Sequence, residues 1–442
     1  MTAIGLPASP TAARTQLRRV GEMTDAHVMG PRLQAAVGAA GRGGCHVLDA
    51  KYEPGVRCTV LYRSGALLVR GDLLDDSSDG GYREADRPRP IVAPGVRLCT
   101  FPDDPDLPGL TDVADAGRLR DALRDAVPEN GPILRCRVEL LRYRPAKRAT
   151  LAVEVRGPSG PTAGRAQRFV VKSYHDGRKA AAVAAEAVLL DATVDPGAPL
   201  RFASVRAHLP HLSLVVQEHV PGGRLDEVLR TPGSLPARAL RQAAAALAAL
   251  HRQPVVSART RPIDAEVARF LVRGQRVAEV DPGRGAALVS LAARLATTSQ
   301  DVDGTVVGLV HGDCKPSQFL LRNDREVVLL DLDSCGRADP AGDVGTFLAT
   351  LRQQTLRQVL ARRRTPPGAR GQAALTEVFL RAYLQAAGGA SDRELTRRIT
   401  WYEAVALERK ALRCFARAPG SPLTQALVDS GHACLDRLGG IR

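Results

Sequence analysis

Two acidic segments in the C-terminal half of the chain carry residue types suited to phosphoryl transfer. The first comprises residues 311–318, HGDCKPSQ, and the second comprises residues 331–333, DLD. A protein that transfers a phosphoryl group from ATP must mainly position the reacting groups and neutralise the charge of the phosphates. One carboxylate orients the acceptor hydroxyl and takes its proton, while an amide and a second carboxylate hold Mg²⁺ against the phosphates. The two segments offer these groups in that order, and Lys315 stands where it can meet the transferred phosphoryl group.

The flanking residues predict the elements that position these groups. Residues 308–310 predict a short strand entering the first segment, and residues 319–321 predict another leaving it. After a short turn, the apolar run 327–330 predicts a buried strand that delivers Asp331 beside the same loop. The alternative is an Asp-rich hairpin of a globular domain without catalytic chemistry.

This pattern resembles the catalytic and metal-binding loops of the aminoglycoside phosphotransferase/choline kinase-like superfamily. Gln318 stands where most members have Asn, which resembles the branch that includes the maltokinases. The resemblance implies ATP and Mg²⁺ as cofactors, with Asp313 as the catalytic base and Lys315 stabilising charge on the phosphoryl group. It also implies that Gln318 and Asp331 bind Mg²⁺, with Asp333 as a further metal ligand or supporting group.

A phosphate-binding Lys is expected upstream of these loops. Only six Lys occur among the 62 basic residues, and Lys172 ends the apolar strand predicted over 168–172. The superfamily keeps at this place a Lys that holds the α- and β-phosphates, and a compact ammonium suits that role. Glu186, in the helix predicted over 179–190, is placed to pair with Lys172. The alternatives are an exposed strand Lys and a solvated helix carboxylate.

Two further segments complete the expected nucleotide site. Residues 215–223 predict a strand and a turn that resemble the hinge between lobes, where backbone groups near Glu218 and Val220 would meet the adenine edge. Residues 143–150, YRPAKRAT, lie between two predicted strands at the place of the phosphate-binding loop. This loop lacks a glycine cradle, so a phosphate contact there would rely on Lys147, Arg148 or backbone amides.

The resemblance implies an α+β, bilobal protein-kinase-like fold with a β-rich small lobe and a helical large lobe, preceded by an extra N-terminal α+β cap domain. The predicted division is an N-terminal tail (1–27), the cap (28–130), the small lobe (131–220) and the large lobe (221–442). Residues 52–59, YEPGVRCT, share Tyr, Pro, Arg and Thr with residues 143–150 at the same offsets. We therefore predict a cap built like half a small lobe, with chance similarity of two hairpins as the alternative.

Composition is typical of a cytoplasmic enzyme. The net charge of +15 admits nonspecific polyanion binding, but only 4% of the residues are aromatic, so we expect no specific nucleic-acid partner. Apolar runs fall short of the roughly 18 residues of a membrane span, so no membrane partner is expected. The eight Cys include no C-x-x-C pair, which indicates neither zinc nor a disulfide framework. The oligomeric state is not predicted.

The expected partner is a small molecule with a hydroxyl acceptor. Residues 351–442 hold seven Asp or Glu against sixteen Lys or Arg. That balance disfavours a polycation and favours a neutral or anionic acceptor. The resemblance of Gln318 to the branch that includes the maltokinases favours a sugar or a sugar-containing metabolite as the acceptor. Trp401 and Tyr402 are candidates for a wall against a sugar ring, although helical spacing with Leu407 and Phe415 favours a core position.

Two alternatives from other functional classes remain. A protein Ser/Thr kinase is suggested by Lys315-Pro316, but the few residues between Asp333 and Asp339 leave no room for an activation segment. A nucleotide-binding pseudokinase is suggested by Gln318 in place of Asn and by the poor phosphate loop. ATP binding without turnover of any acceptor would favour the pseudokinase.

Overall fold

The computed structural model describes residues 9–41, 43–74, 91–92, 95–127, 133–157, 166–254, 257, 259–260, 262–300, 306–323, 326–362, 369–388 and 392–439. Within these residues the chain builds an N-terminal sheet with helices, a second sheet and a helical C-terminal half. None of the described helices has the length and apolar character that crossing a lipid bilayer requires.

The N-terminal part consists of two helices and an antiparallel sheet. Ser9 and Asp25 begin the helices because their side-chain oxygens accept backbone N–H groups of the first turn. The Tyr62 hydroxyl donates to the Met23 carbonyl (2.7 Å) and ties the sheet to the first helix. The strand order is β1-β2-β3-β5-β4. The elements are α1 (Pro10–Thr24), α2 (Ala26–Val37), β1 (Cys45–Glu53), β2 (Arg57–Ser64), β3 (Leu67–Leu73), β4 (Ile91–Val92) and β5 (Val96–Thr100).

A second antiparallel sheet follows two short helices. Its strand order is β6-β7-β8-β11-β10, and a helix crosses from β8 to the later strands. The helix begins at Asp176, whose side chain accepts from Arg178 N, and Ala and Leu on one face bury it. The elements are α3 (Leu110–Ala114), α4 (Ala116–Ala126), β6 (Arg135–Arg144), β7 (Arg148–Arg156), β8 (Gln167–Tyr174), α5 (Gly177–Thr193), β9 (Leu200–Phe202), β10 (Val205–Leu209) and β11 (Leu214–Glu218).

The C-terminal half is mainly helical and encloses short strand pairs that carry the acidic segments. β14 pairs with β15, and β13 pairs with β16, both antiparallel. The strands are β12 (Gly223–Arg224), β13 (Gly308–Val310), β14 (Phe319–Leu321), β15 (Val327–Leu329) and β16 (Gly336–Ala338). The helices are α6 (Leu225–Val228), α7 (Leu235–His251), α8 (Ile263–Ala278), α9 (Pro282–Thr298), α10 (Ala341–Arg362), α11 (Ala369–Ala386), α12 (Arg393–Arg417) and α13 (Leu423–Leu438).

The two five-stranded sheets share one topology. In each, a hairpin with a three-residue loop is followed by a third strand, which pairs with the second strand of a later hairpin. Tyr52 lies opposite Cys58 in the first hairpin, as Tyr143 lies opposite Ala149 in the second. The similarity of residues 52–59 to residues 143–150 therefore corresponds to two equivalent hairpins.

The cap sheet carries an acid where the second sheet carries its phosphate-binding candidate. Thr150 of β7 pairs with Lys172, and the equivalent Thr59 of β2 pairs with Asp72. Thr59 donates to Asp72 (2.6 Å), and the Nε of Arg70 lies 2.7 Å from the same carboxylate. A carboxylate at this position repels phosphate, so the cap sheet does not duplicate the chemistry of the second sheet.

The hydrophobic cores cross the predicted boundaries. One core joins α1, α2 and β1–β3 with α8, α9, α12 and α13, so the cap and the large lobe share it. A second core joins α3 and α4 with β6–β8 and β11. A third, around α7, α10 and α11 of the large lobe, also includes α5 and β9 from before residue 220.

The predicted fold class is confirmed, with a β-rich small lobe, a helical large lobe and an N-terminal α+β cap. The domain boundaries at residues 27, 130 and 220 stay a prediction. Residues 10–24 of the predicted tail form α1, and α3 and α4 of the predicted cap pack on the second sheet. Trp401 lies in the core, 1% exposed, with its indole N–H donating to Thr298 Oγ1 (3.0 Å).

Candidate active site

The loop between β13 and β14 is held in place by one buried carboxylate. Asp343, at the start of α10, accepts the backbone N–H of His311 (2.6 Å) and of Gly312 (2.8 Å). Gly312 has a φ of +75°, in the left-handed region that favours glycine. His311, which is fully buried, donates through Nε2 to the Leu330 carbonyl (2.8 Å) and so joins this loop to the end of β15.

Asp343 remains ionised in this setting. Burial raises its pKa, but hydrogen bonds and charge from His251 and His311 outweigh that effect and hold the pKa below its ordinary value. An ionised carboxylate accepts both backbone N–H groups strongly. Asp343 is therefore a positioning residue for the loop that carries Asp313.

Asp313 and Lys315 form an ion pair at the front of this loop. Their side chains are 30% and 27% exposed, so both can meet a bound molecule. Burial raises the pKa of Asp313, but the charges of Lys315 and Arg413 hold that pKa below its ordinary value. Asp313 is thus an ionised carboxylate with a cation beside it, as the loop pattern predicts for a base next to a phosphoryl-binding Lys.

Asp331 and Asp333 lie side by side beyond β15. Asp331 has φ +63° and ψ +58°, an unusual conformation for a residue other than Gly, Asn or Asp. Gln318 Nε2 donates to Asp331 Oδ2 (3.4 Å), which leaves its amide oxygen as a possible ligand. The three side chains that the sequence assigned to the metal are therefore in one place, although their metal-binding role stays a prediction.

Two cations face these carboxylates from the second sheet. Lys172 Nζ lies 3.1 Å from Asp331 Oδ1 and 3.1 Å from Asp333 Oδ1. Arg148 donates from Nη1 and Nη2 to Asp331 (2.8 and 3.1 Å) and also contacts Asp333. Although burial alone would raise it, these two charges hold the pKa of Asp331 far below its usual range.

The expected ion pair between Lys172 and Glu186 is replaced by other contacts. Glu186 instead lies 3.5 Å from Arg259, and Arg259 donates to the Asp333 carbonyl (2.7 Å). Lys172 turns to Asp331 and Asp333 because two carboxylates attract an ammonium more strongly than one. Glu186 is therefore connected to residues 331–333 through Arg259. The prediction that Glu186 pairs directly with Lys172 is wrong for this structure.

A cleft of about 570 Å³ opens between the second sheet and the large lobe beside these groups. The hinge residues Glu218 and Val220 line it, as do Lys172, Gln318 and Asp331. Glu218 N already donates to the Ser204 carbonyl (3.0 Å) and its carboxylate pairs with Arg206 (2.9 Å). A ligand at the hinge would therefore use other backbone groups than Glu218 N.

The β6–β7 loop separates the two residues proposed for phosphate contacts. Arg148 lines the cleft, whereas Lys147 lines a neighbouring pocket. Ala146, between Pro145 and Lys147, has φ +58° and donates its N–H to Asp104 (2.8 Å). The side chain of Asp104 also accepts from Tyr143 (2.7 Å) and Arg70 (2.7 Å), which fixes the tip of this hairpin.

Sequence reasoning missed three residues of the site. Tyr174 donates to Asp333 (3.0 Å), and its place two residues after Lys172 on the same strand was the available signal. Arg259 and Asp104 reach the site from loops, and their types and spacing offered no signal.

The donor set fits Mg²⁺. Two carboxylates and an amide oxygen are hard oxygen ligands, and Mg²⁺ is usually held by one or two carboxylates with phosphate oxygens completing its shell. Among the described residues, no cluster of three or more His, Cys, Asp or Glu side chains offers an all-protein cage.

This chain belongs to the phosphotransferase enzyme family, whose APH model matches residues 161–395. Among solved structures, it is similar to macrolide 2'-phosphotransferase from Brachybacterium faecium, at 19% identity and a TM-score of 0.45, over 72% of this chain and 98% of that chain. It is also similar to a choline/ethanolamine kinase family protein from Mesorhizobium loti, at 17% identity and a TM-score of 0.45, over 73% of this chain and 94% of that chain. No curated protein sequence matches it. The predicted superfamily is confirmed, and the maltokinase branch stays a prediction.

Proposed function

We propose that this protein transfers the γ-phosphoryl group of ATP to a hydroxyl of a small molecule, in the presence of Mg²⁺. The observation that carries the proposal is the convergence of two charge clusters, Asp313 with Lys315 and Asp331 with Lys172, on elements of both lobes. Phosphoryl transfer needs such positioned opposite charges and little covalent chemistry from the protein.

Each side chain has a defined task in this proposal. Asp313 accepts the proton of the acceptor hydroxyl as the new O–P bond forms and the bond from the γ-phosphorus to the bridging oxygen breaks, leaving ADP. Lys315 faces the negative charge of the group in transfer. Lys172 holds the α- and β-phosphates once it leaves the carboxylates. Asp331, Asp333 and Gln318 would hold Mg²⁺, which neutralises phosphate charge when bound.

The connection after the metal loop favours a small acceptor. Residues 331–333 are followed directly by β16 and α10, so the chain has no segment there that could bind an extended peptide. Protein kinases order such an activation segment in this place. The Gln at position 318 and the basic C-terminal helices support a sugar or a sugar-containing metabolite as the acceptor, rather than a polycation.

The test is ADP release from ATP with Mg²⁺ against separate pools of sugars, sugar phosphates, amino sugars, aminoglycosides and nucleosides. Release that requires one pool and disappears in Asp313→Asn supports the proposal. Nucleotide binding without release from any pool would contradict it and favour a pseudokinase. Release with a separately tested peptide pool, and with none of these small molecules, would instead favour a protein kinase.

A further inference from the structure

A pocket of about 350 Å³ lies between the cap, the β6–β7 loop and the helices α8 and α12. We call it the basic pocket, because seven of its lining residues are Lys or Arg and two are Asp or Glu. β1 and β2 contribute Lys51 and Arg57, and the β6–β7 loop contributes Arg144 and Lys147. Its walls thus come from parts of the chain far apart in sequence, which the tertiary structure brings together.

The helices supply the remaining cations, and only part of the charge is neutralised within the lining. α8 contributes Arg273, and α12 contributes Arg413 and Arg417. Asp49 pairs with Arg417 (2.9 Å), and Glu53 lies 3.4 Å from Arg273 and 3.5 Å from Arg57. Among the described residues, no carboxylate lies within ion-pair distance of the Arg413 guanidinium. Within the lining, the seven cations outnumber the two carboxylates.

Burial and the neighbouring positive charges both lower the pKa values of cations in this pocket. Burial lowers the pKa of Lys147, and the neighbouring charges of Arg57 and Arg144 lower it further. Burial and the charge of Arg409 likewise lower the pKa of Arg413. Glu408 on α12 is fully buried and lies outside the lining of the pocket, and burial raises the pKa of its carboxyl well above the ordinary value. A bound anion would relieve this repulsion.

One residue, Arg413, connects the basic pocket with the loop that carries Asp313. Arg413 lines it and also lies close enough to Asp313 for its charge to lower the pKa of that carboxyl. On the same helix, burial together with the charges of Arg413 and Arg409 lowers the pKa of Lys410 to about 7. Lys410 donates to Thr350 (2.9 Å), so it is held near the loop rather than extended into solvent. A molecule in the basic pocket would therefore contact Arg413, whose charge also acts on Asp313.

We propose that the basic pocket binds a phosphate group of the acceptor, so that the substrate is a hydroxyl-bearing molecule, such as a sugar, that already carries a phosphate monoester or diphosphate. This inference rests on the proposed phosphotransferase function. Phosphate is favoured over a carboxylate because five of the lining cations are Arg, and guanidinium groups match phosphate oxygens in pairs. The volume suits a small charged group rather than an extended polymer.

Arg273→Gln and Arg417→Gln test the inference, because both residues lie on helices away from the nucleotide cleft. Each change should raise KM for a phosphate-bearing acceptor at least about tenfold, the effect of losing one charge-assisted hydrogen bond, with kcat and ATP affinity near wild type. Arg381→Gln is the matched control, since this α11 side chain is 78% exposed and lies outside the pocket. A fall in ATP affinity with an unchanged acceptor KM would show that the pocket serves the nucleotide and would overturn the inference.

A binding measurement that needs no turnover distinguishes phosphate bound in the basic pocket from phosphate bound in the nucleotide cleft. Pyrophosphate is titrated by calorimetry into Asp313→Asn with the nucleotide cleft filled by a non-hydrolysable ATP analogue. Binding that is lost in the Arg273→Gln background supports the pocket, and no binding overturns it. Turnover of a neutral sugar with equal kcat/KM in all variants would overturn the inference and leave the phosphotransferase intact. ATP binding without any turnover would overturn the proposed function instead.

Discussion

At the scale of single residues, the two acidic segments differ in how their carboxylates are paired. Asp313 faces one cation within its own loop, Lys315, and about a third of each side chain is exposed. Asp331 faces two cations from another sheet and is more buried. In the proposed function, the first arrangement leaves a carboxylate accessible to an acceptor, and the second would hold a metal and phosphates.

Asp313→Asn should lower kcat by roughly 10²–10⁴, the usual effect of removing a general base. An amide cannot take the proton of the acceptor hydroxyl, whereas the nucleotide contacts stay in place. Initial rates of ADP release measure kcat, and calorimetry with ATP and Mg²⁺ measures nucleotide affinity. Asp429→Asn, at an exposed position on α13, is the control. Full turnover by Asp313→Asn would remove this residue from the mechanism.

At the scale of elements, the β6–β7 hairpin and β8 are the parts of the small lobe that contact Asp331 and Asp333. Arg148 of the hairpin occupies the carboxylates that Mg²⁺ would use, together with Lys172 from β8. Asp104 holds the tip of the hairpin from outside. Two predictions follow from these contacts.

Arg148→Gln should lower the Mg²⁺ concentration for half-maximal nucleotide binding by roughly three- to tenfold, because removing one nearby positive charge makes the carboxylate site more negative. The measurement is binding of an ATP analogue at a series of Mg²⁺ concentrations. Arg156→Gln, on the same strand with a side chain 56% exposed, is the control. A higher Mg²⁺ requirement in Arg148→Gln would show that Arg148 supports the nucleotide instead of competing with the metal.

Asp104→Asn should destabilise the fold by about 3 kcal/mol, the lower range for breaking a buried charged pair. The side chain of Asp104 is fully buried, and the change weakens its contacts with Arg70, Tyr143 and Ala146 together. Urea denaturation followed by circular dichroism measures the free energy of unfolding. The neighbouring exposed Asp103→Asn should leave that energy nearly unchanged. Equal stability of both variants would contradict the assigned role.

At the scale of the whole molecule, the cap and the large lobe are joined by one hydrophobic core. Tyr52 of β1 is 1% exposed, and its ring centroid lies 6.1 Å from that of Phe415 on α12. Trp401, the single Trp of the chain, lies in the same core. The cap therefore contributes to the stability of α12, the helix that carries Arg413 and Arg417.

Tyr52→Ala should lower the free energy of unfolding by about 3–5 kcal/mol, the usual loss for a large buried aromatic side chain. Because the core is shared, Trp401 fluorescence should report this shift although Trp401 lies in the large lobe. Leu48→Ala on the same strand, where Leu48 is 44% exposed, should change the transition little. A Trp401 transition that does not move in Tyr52→Ala would show that the cap unfolds independently.

The elements around the acidic segments were predictable from the sequence. Strands at 308–310 and 319–321 were predicted with the bounds that β13 and β14 have, and the helix predicted over 179–190 lies within α5. A short apolar run between polar turns predicts such a strand, because the pattern depends only on neighbouring residues. The similarity of residues 52–59 to residues 143–150 also predicted a cap built like half a small lobe, and the structure shows two sheets of the same topology.

The sequence by itself determined the residue types, their local elements and the order of Asp313, Gln318 and Asp331, because these depend on neighbours within a few positions. Only the tertiary structure decided that Lys172 pairs with Asp331 instead of Glu186, that Arg148 meets a carboxylate 183 positions away, and that seven cations line the basic pocket. Side chains pair with whichever charge the packed elements bring within a few ångströms. That proximity is set by the shared cores, and local sequence does not encode it.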